Sequence, residues 1–315
     1  MTARVTWGAA ALLAALSVAS LLTGVIDLAP GDPDAWGVLV VSRLPRTLAV
    51  ILTGASMAVA GLVMQMLVRN RFVEPTTAGT GQGAALGILL VTILWPGAPL
   101  LAQMVVASLC ALLATAGFLV LVRRLPPTQP LLVPLVALVY GSVLGSVVMF
   151  IGYQLDLLQY VEVWTNGEFS GVLLGRYELL WLSGAVAVGA YFAADRFTIV
   201  GLGREASVSL GLDYERVVLG GLLIVAVVSA LTVVTVGMIP FVGIIVPNVA
   251  SRLLGDNLRA TLPGVALLGS ILVLACDLLG RLVRHPYEIP VGTVFGVVGA
   301  LVFLALLYGR PGRAG

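Results

Sequence analysis

The chain has no lysine. All 17 basic residues among its 315 are arginine, the only histidine is His285, and the only cysteines are Cys110 and Cys276. Without lysine there is no GxxxxGKS or GxxxxGKT loop to hold nucleotide phosphates, and no amine for a Schiff base. One histidine, beside Pro286 in a short segment between apolar runs, completes no Ser-His-Asp or Cys-His set and reads as a loop residue. Both cysteines lie inside apolar runs, where they behave as small hydrophobes, and no His/Cys cluster has metal-ligand spacing. Paired carboxylates placed for intramembrane hydrolysis are also missing, so catalysis by this chain alone is not expected.

Charge of either sign is scarce: 10% of residues are charged and 60% are hydrophobic, against about 25% charged in ordinary soluble domains. A soluble core of this size could not absorb so many apolar side chains, which implies a bilayer. A spanning helix needs about 20 apolar residues. The runs that fit are Val5–Ile26, Arg46–Val68, Thr76–Trp95, Ala98–Val122, Leu131–Tyr153, Tyr177–Ala194, Val217–Val236, Phe241–Leu254, Thr261–Gly280 and Val291–Tyr308. The first is longer than the ~7–15 residues of a signal-peptide core and reads as a span. The eighth is short, holds Pro247, and suits a broken or half-buried helix. The expected fold is therefore an all-α polytopic membrane protein of about ten transmembrane helices, one domain over 1–315. With the N-terminus inside, 12 of the 17 arginines fall on inner segments (Arg4, Arg69, Arg71, Arg123, Arg124, Arg196, Arg204, Arg216, Arg252, Arg259, Arg310, Arg313) and 5 on outer ones (Arg43, Arg46, Arg176, Arg281, Arg284). That bias places both termini in the cytoplasm.

One charged segment, 195–216, interrupts the apolar runs. Within it, Glu205–Gly211 reads as a short helix started at Gly203 and stopped at Gly211, with a second short element at Asp213–Arg216. A helix this brief is marginal alone and needs its own bundle or a partner to hold it; otherwise the segment is an inert loop. Arg43, Arg46 and Arg281 sit at outer span ends, where they serve either as snorkelling anchors or as a basic patch for carboxylates on a docking protein. Asp277 stands four residues before Arg281, which suits an i,i+4 pair. Small residues cluster at Gly141, Ser142, Gly145 and Ser146 in the fifth span and at Gly292, Thr293, Gly296 and Gly299 in the tenth. Such faces either pack helices closely or line a path for a bulky solute. The stretches Leu48–Gly87 and Val217–Gly255 echo each other weakly and enter from opposite sides, as inverted repeats do, although any two apolar helices look alike.

Arg43-Leu44-Pro45-Arg46, Arg69-Asn70, Gly237-Met238-Ile239-Pro240-Phe241-Val242-Gly243 with Pro247-Asn248, and Glu288-Ile289-Pro290-Val291-Gly292 together resemble the permease family of iron-siderophore and vitamin B12 ABC importers. The resemblance runs from about Arg43 to Tyr308. It implies a BtuC-like permease with an inverted repeat and ten helices per subunit. It implies ABC ATPase subunits, an extracellular or periplasmic siderophore-binding protein and a second permease, a different chain being favoured over an identical one. ATP and Mg would sit on the ATPase, with no cofactor in this chain, no nucleic acid, and a place in the bacterial cell (inner) membrane. Carried over by position, Arg43, Arg46 and Arg281 would meet the binding protein. Arg204, Glu205, Ser207, Leu210 and Gly211 would form the coupling helix on the ATPase. Gly141, Ser142, Gly145, Ser146, Gly292, Thr293 and Gly296 would line the pathway. Arg71 where the family often has Pro, and Asn248 where it often has His, make the chain similar to the branch that imports catecholate siderophores such as petrobactin. Two rivals differ in energy source: an ion-coupled transporter would place ionisable groups mid-membrane, and a channel would need no ATPase.

Overall fold

The computed structural model describes residues 3–24, 35–76, 78–125, 132–255 and 258–308. The expected span limits Ile26 and Leu131, and Arg310 and Arg313 of the inner set, lie outside the described residues. The described residues are helical with short connections. Among the described residues five helices are long and apolar enough to cross a membrane and five more are shorter apolar helices, matching the ten expected runs one for one.

In chain order α1 is Ala3–Leu22 and α2 is Ala35–Val38; a π turn at Leu39–Arg43 then leads into α3, Leu44–Val68. Pro45 opens α3, where a missing N–H costs nothing. The helix stops at Arg69, which adopts the left-handed conformation with φ 55°. Next come α4 (Thr80–Leu94), α5 (Leu100–Arg123), α6 (Leu132–Gln154), α7 (Leu158–Thr165), α8 (Leu179–Phe192), α9 (Ala194–Gly201) and α10 (Arg204–Ser209). The chain ends in α11 (Tyr214–Val236), α12 (Val242–Leu254), α13 (Leu258–Leu282) and α14 (Val291–Tyr308). The helix α7 was not expected from sequence. The element expected at Asp213–Arg216 is instead the start of α11: Asp213 is its N-cap and accepts the Arg216 N–H at 3.2 Å.

α3 is the hub, packed against α13, α12, α8 and α11. Its most apolar window is 78% buried, against 22% for α6 at the edge of the bundle. Lipid tails supply no hydrophobic drive between helices, so close contact has to come from small residues. A Cβ added at Gly61 would lie 2.5 Å from Gly243 O, and one at Gly54 2.5 Å from Gly269 O. These two contacts seat α12 and α13 directly on the backbone of α3.

Two irregular bends lie inside the protein. Of the non-helical residues 69–76, 78 and 79 after α3, Val73, Glu74 and Ala78 are wholly buried, and α4 starts only at Thr80, later than expected. Residues 237–241 are likewise non-helical after α11, with Ile239 wholly buried. Non-helical backbone at such depth persists only where protein satisfies it. Each bend follows a long helix and precedes a short one. At 13 residues α12 is about 20 Å long and cannot cross ~30 Å of hydrocarbon alone. Its Pro247 cannot donate to Gly243 O, and Gln65 Nε2 of α3 fills that acceptor at 2.9 Å.

Candidate functional site

The expected docking arginines are largely turned inward. A helix leaves its last carbonyls without partners, and these carry the negative end of its dipole. At the end of α1, Arg43 Nη1 donates to Leu21 O at 2.9 Å and Leu22 O at 3.1 Å. Arg281 Nη1 donates to Ser20 O and Thr23 O, both at 3.1 Å, and its Nη2 to Ser20 Oγ at 2.6 Å. Arg43 and Arg281 are only 6% and 4% exposed. Their first task is thus to close α1, a reading neither snorkelling nor docking had covered. The expected i,i+4 pair is present, Arg281 Nη2 bonding Asp277 Oδ2. Arg46 also reaches Asp277, at 2.8 Å, and its Nη1 meets both oxygens of Glu288 at 2.9 and 2.8 Å. Of the three, Arg46 keeps the most contact with solvent, at 13% side-chain exposure.

In the charged segment α10 forms where expected and ends as expected. Gly211, with φ 78°, follows a C-terminal turn in which its N–H donates to Val208 O at 2.9 Å and the Leu212 N–H to Ser207 O at 3.0 Å. These crossed bonds close the last carbonyls, and the left-handed position suits glycine. Ser207 does not face outward. It is buried, and its Oγ donates to Gly203 O at 2.7 Å and Ile199 O at 3.1 Å, pinning α10 to α9. The outward face of this pair is Leu202, Val208 and Leu210 with Glu205 and Arg204, the last paired to Glu215 at 3.6 Å.

A cavity of about 360 Å³ opens between α6 and the two buried bends, lined by Gly141, Ser142 and Gly145, by Glu74, Thr76 and Gln82, and by Met238, Pro240 and Phe241. Three of the four small residues expected on α6 meet here. Ser146 faces a separate recess on the outer side of α6 and donates to Ser142 O at 2.9 Å. The tenth-span residues fall outside the cavity lining. The Gly292 N–H donates to Gly167 O at 2.8 Å, and a Cβ there would lie 2.9 Å from Gly167 N, so Gly292 is a packing contact. Thr293 is exposed, and a Cβ added at Gly296 would lie 3.9 Å from Pro240 Cγ.

Sequence reasoning missed Glu74, Gln82 and Gln65. Glu74 is fully buried and accepts from Phe241 N–H at 2.8 Å, Gly243 N–H at 3.0 Å and Thr76 Oγ1 at 2.7 Å. Gln82 Oε1 is buried with no hydrogen-bond partner at the cavity edge. The available signal was an acid directly before Pro75, in a segment between two spans too short to loop into water. Among the described residues no cluster of three His, Cys, Asp or Glu side chains could hold a metal ion.

Comparison with known proteins joins this geometry to a family. The petrobactin import system permease protein YclN of Bacillus subtilis is 44% identical over 308 residues, covering 96% of this chain and 98% of that protein. The petrobactin import system permease protein FatD of Bacillus anthracis is 40% identical over 93% of this chain and 87% of its own length. A metal-chelate type ABC transporter solved in an inward-facing conformation has the same fold, with TM-score 0.83 at 23% identity over 98% of this chain and 99% of that one. The model of the FecCD transport family matches residues 5–309, and the chain belongs to that family.

Proposed function

We propose that this chain is the membrane-embedded permease subunit of an ATP-driven importer for a ferric siderophore of the petrobactin type. The observation that carries the reading is identity to a petrobactin permease along nearly the whole of both chains. The cavity beside α6 supports it, because its walls are small, apolar or neutral apart from Glu74, whose oxygens are taken by backbone N–H groups and Thr76. A path for a bulky chelate needs weak contacts rather than a tight site. An ion-coupled mechanism would want a titratable group free to exchange ions with the path, whereas the oxygens of Glu74 are engaged by the Phe241 and Gly243 amides and by Thr76.

In this reading the subunit sits in the bacterial cell (inner) membrane with both termini in the cytoplasm, and has no ATPase site of its own. ATP and Mg belong to a separate ATPase chain, which meets Leu202, Arg204, Glu205, Val208 and Leu210. Ser207 and Gly211 shape that helix from within. A loaded binding protein docks outside on Arg46, its carboxylate exchanging with Glu288, while Arg43 and Arg281 hold the surface behind it. The exposed face of α6 receives a second permease, a different chain being favoured. ATP binding moves α10 and reorients the helices around the cavity; hydrolysis and product release reset it.

The test is to plug the cavity. In proteoliposomes holding the permease pair, ATPase and binding protein, Ser142→Trp lowers uptake of radiolabelled ferric petrobactin by roughly tenfold or more, with ATPase association retained. Wild-type uptake in that variant would remove the cavity from the pathway.

A further inference from the structure

Glu74 joins the two buried bends. It belongs to the 69–79 bend, yet two of its bonds go to the Phe241 and Gly243 amides at the start of α12. The first amides of a helix lack internal partners and carry its positive end, so a carboxylate suits them. The N-cap position of α12, Phe241, is left-handed with φ 67° and offers no side-chain cap of its own. Glu74 takes the place of water that the surrounding protein excludes. A second bond ties the same two segments: Asn248 Nδ2 donates to Arg71 O at 2.9 Å.

The segment fixed in this way, Met238–Phe241, is a wall of the cavity, and Glu74 and Thr76 line that same space. The other end of the 69–79 bend points to α10. It begins at Arg69, whose Nη1 lies 3.0 Å from where a Cβ on Gly203 would stand, and Gly203 is the N-cap position of α10. Arg69 beside Gly203 and Glu74 on the amides of α12 thus lie five residues apart on one stretch of chain between α10 and the cavity wall. A chain of packed groups carries coupling only if its middle members hold both ends in register.

We infer that Glu74 is a positioning residue for transport, locking the 69–79 bend to the cavity wall at 238–241 so that displacement of α10 is delivered to the pathway. The inference rests on the cavity being the pathway. The readout that a merely structural role would not move is the number of ATP molecules hydrolysed per chelate imported, measured in the full reconstituted transporter. Glu74→Gln keeps the side chain's size but puts an NH2 donor against backbone donors. It is expected to raise that ratio about tenfold with hydrolysis within about twofold of wild type. Thr76→Val, which removes one bond to the carboxylate, should raise it about two- to threefold. If Glu74→Gln does not yield folded protein, Thr76→Val carries the test, and an unchanged ratio there overturns the inference. Hydrolysis and import falling in proportion, at constant ratio, overturns it as well. Ser142→Trp is run alongside: import intact in that variant removes the pathway assignment and this inference with it. Import lost there, with an unchanged ratio in the Glu74 and Thr76 variants, removes this inference alone.

Discussion

Two helix ends in this protein are closed by buried side chains of opposite hydrogen-bonding character. At the end of α1 the leftover groups are carbonyls, and Arg43 and Arg281 donate to them. At the start of α12 the leftover groups are amides, and Glu74 accepts from them. The sign of the side chain follows the polarity of the helix. The two ends differ in how the charge itself is met. Arg281 and Arg46 share the carboxylate of Asp277, so the outer cluster is neutralised ion against ion. Glu74 is met by backbone amides and a hydroxyl, so its carboxyl oxygens are held by the geometry of one bend. The first arrangement suits a scaffold, in which carboxylates fix arginines and arginines fix α1. The second suits a joint, because moving the bend moves the helix end with it.

The comparison breaks most visibly at Asp277. It is buried between two arginines, and removing one partner of a buried pair commonly costs about 3–5 kcal/mol. Asp277→Asn is therefore expected to lower stability by about that amount, read as a shift in the unfolding midpoint in a denaturing-detergent titration. Asp277→Asn combined with Arg281→Met should recover part of the loss, since one uncompensated charge is gone. A loss in Asp277→Asn well under about 1 kcal/mol would mean that the arginines find other acceptors, and the outer cluster would not be the ion-neutralised scaffold described above.

Arg43 separates the closing of carbonyls from the pairing of ions. Arg43→Met keeps much of the apolar stem and removes the donors to Leu21 O and Leu22 O. Leaving such acceptors unsatisfied costs about 1–3 kcal/mol. Faster hydrogen exchange confined to the last turn of α1 is the expected signature. Unchanged exchange there would assign the closing of α1 to Arg281 alone.

The ten apolar helices were legible because each is an apolar run in the sequence, and the Arg281–Asp277 pair because helix spacing alone brings residues four apart together. The stop of α10 was legible for the same reason: Gly211 marks it locally. What could not be read depends on partners far along the chain. The acceptors of Arg43 lie 22 and 21 residues away, and the Ser20 groups that Arg281 reaches lie 261 away. Glu74 stands in a stretch notable for other departures, but its amides come 167 and 169 residues later. Gln65 answers a deficit created by Pro247, through a carbonyl 178 residues from it. Small residues on α6 and α14 look alike in sequence. They part company because Gly141 and Gly145 face a cavity, whereas Gly292 faces the backbone of Gly167.

The smallest expected effect on stability is at Glu288, and it sharpens the contrast between rim and interior. The Glu288 side chain is 28% exposed and its pair with Arg46 lies at the rim of the cluster. Exposed pairs contribute about 0–1 kcal/mol, so Glu288→Gln should leave the unfolding midpoint nearly unchanged. Arg46 keeps Asp277 but gains free donor capacity toward solvent. If docking proceeds by exchange of carboxylates on Arg46, the variant should bind the loaded binding protein about twofold to fivefold more tightly at low salt, and the gain should shrink as salt rises. Titration calorimetry on the permease pair in nanodiscs, at two ionic strengths, reads this directly. Equal affinity in wild type and variant at low salt would place the docking contact elsewhere, with the exposed Arg176 and Arg284 the next to be tested.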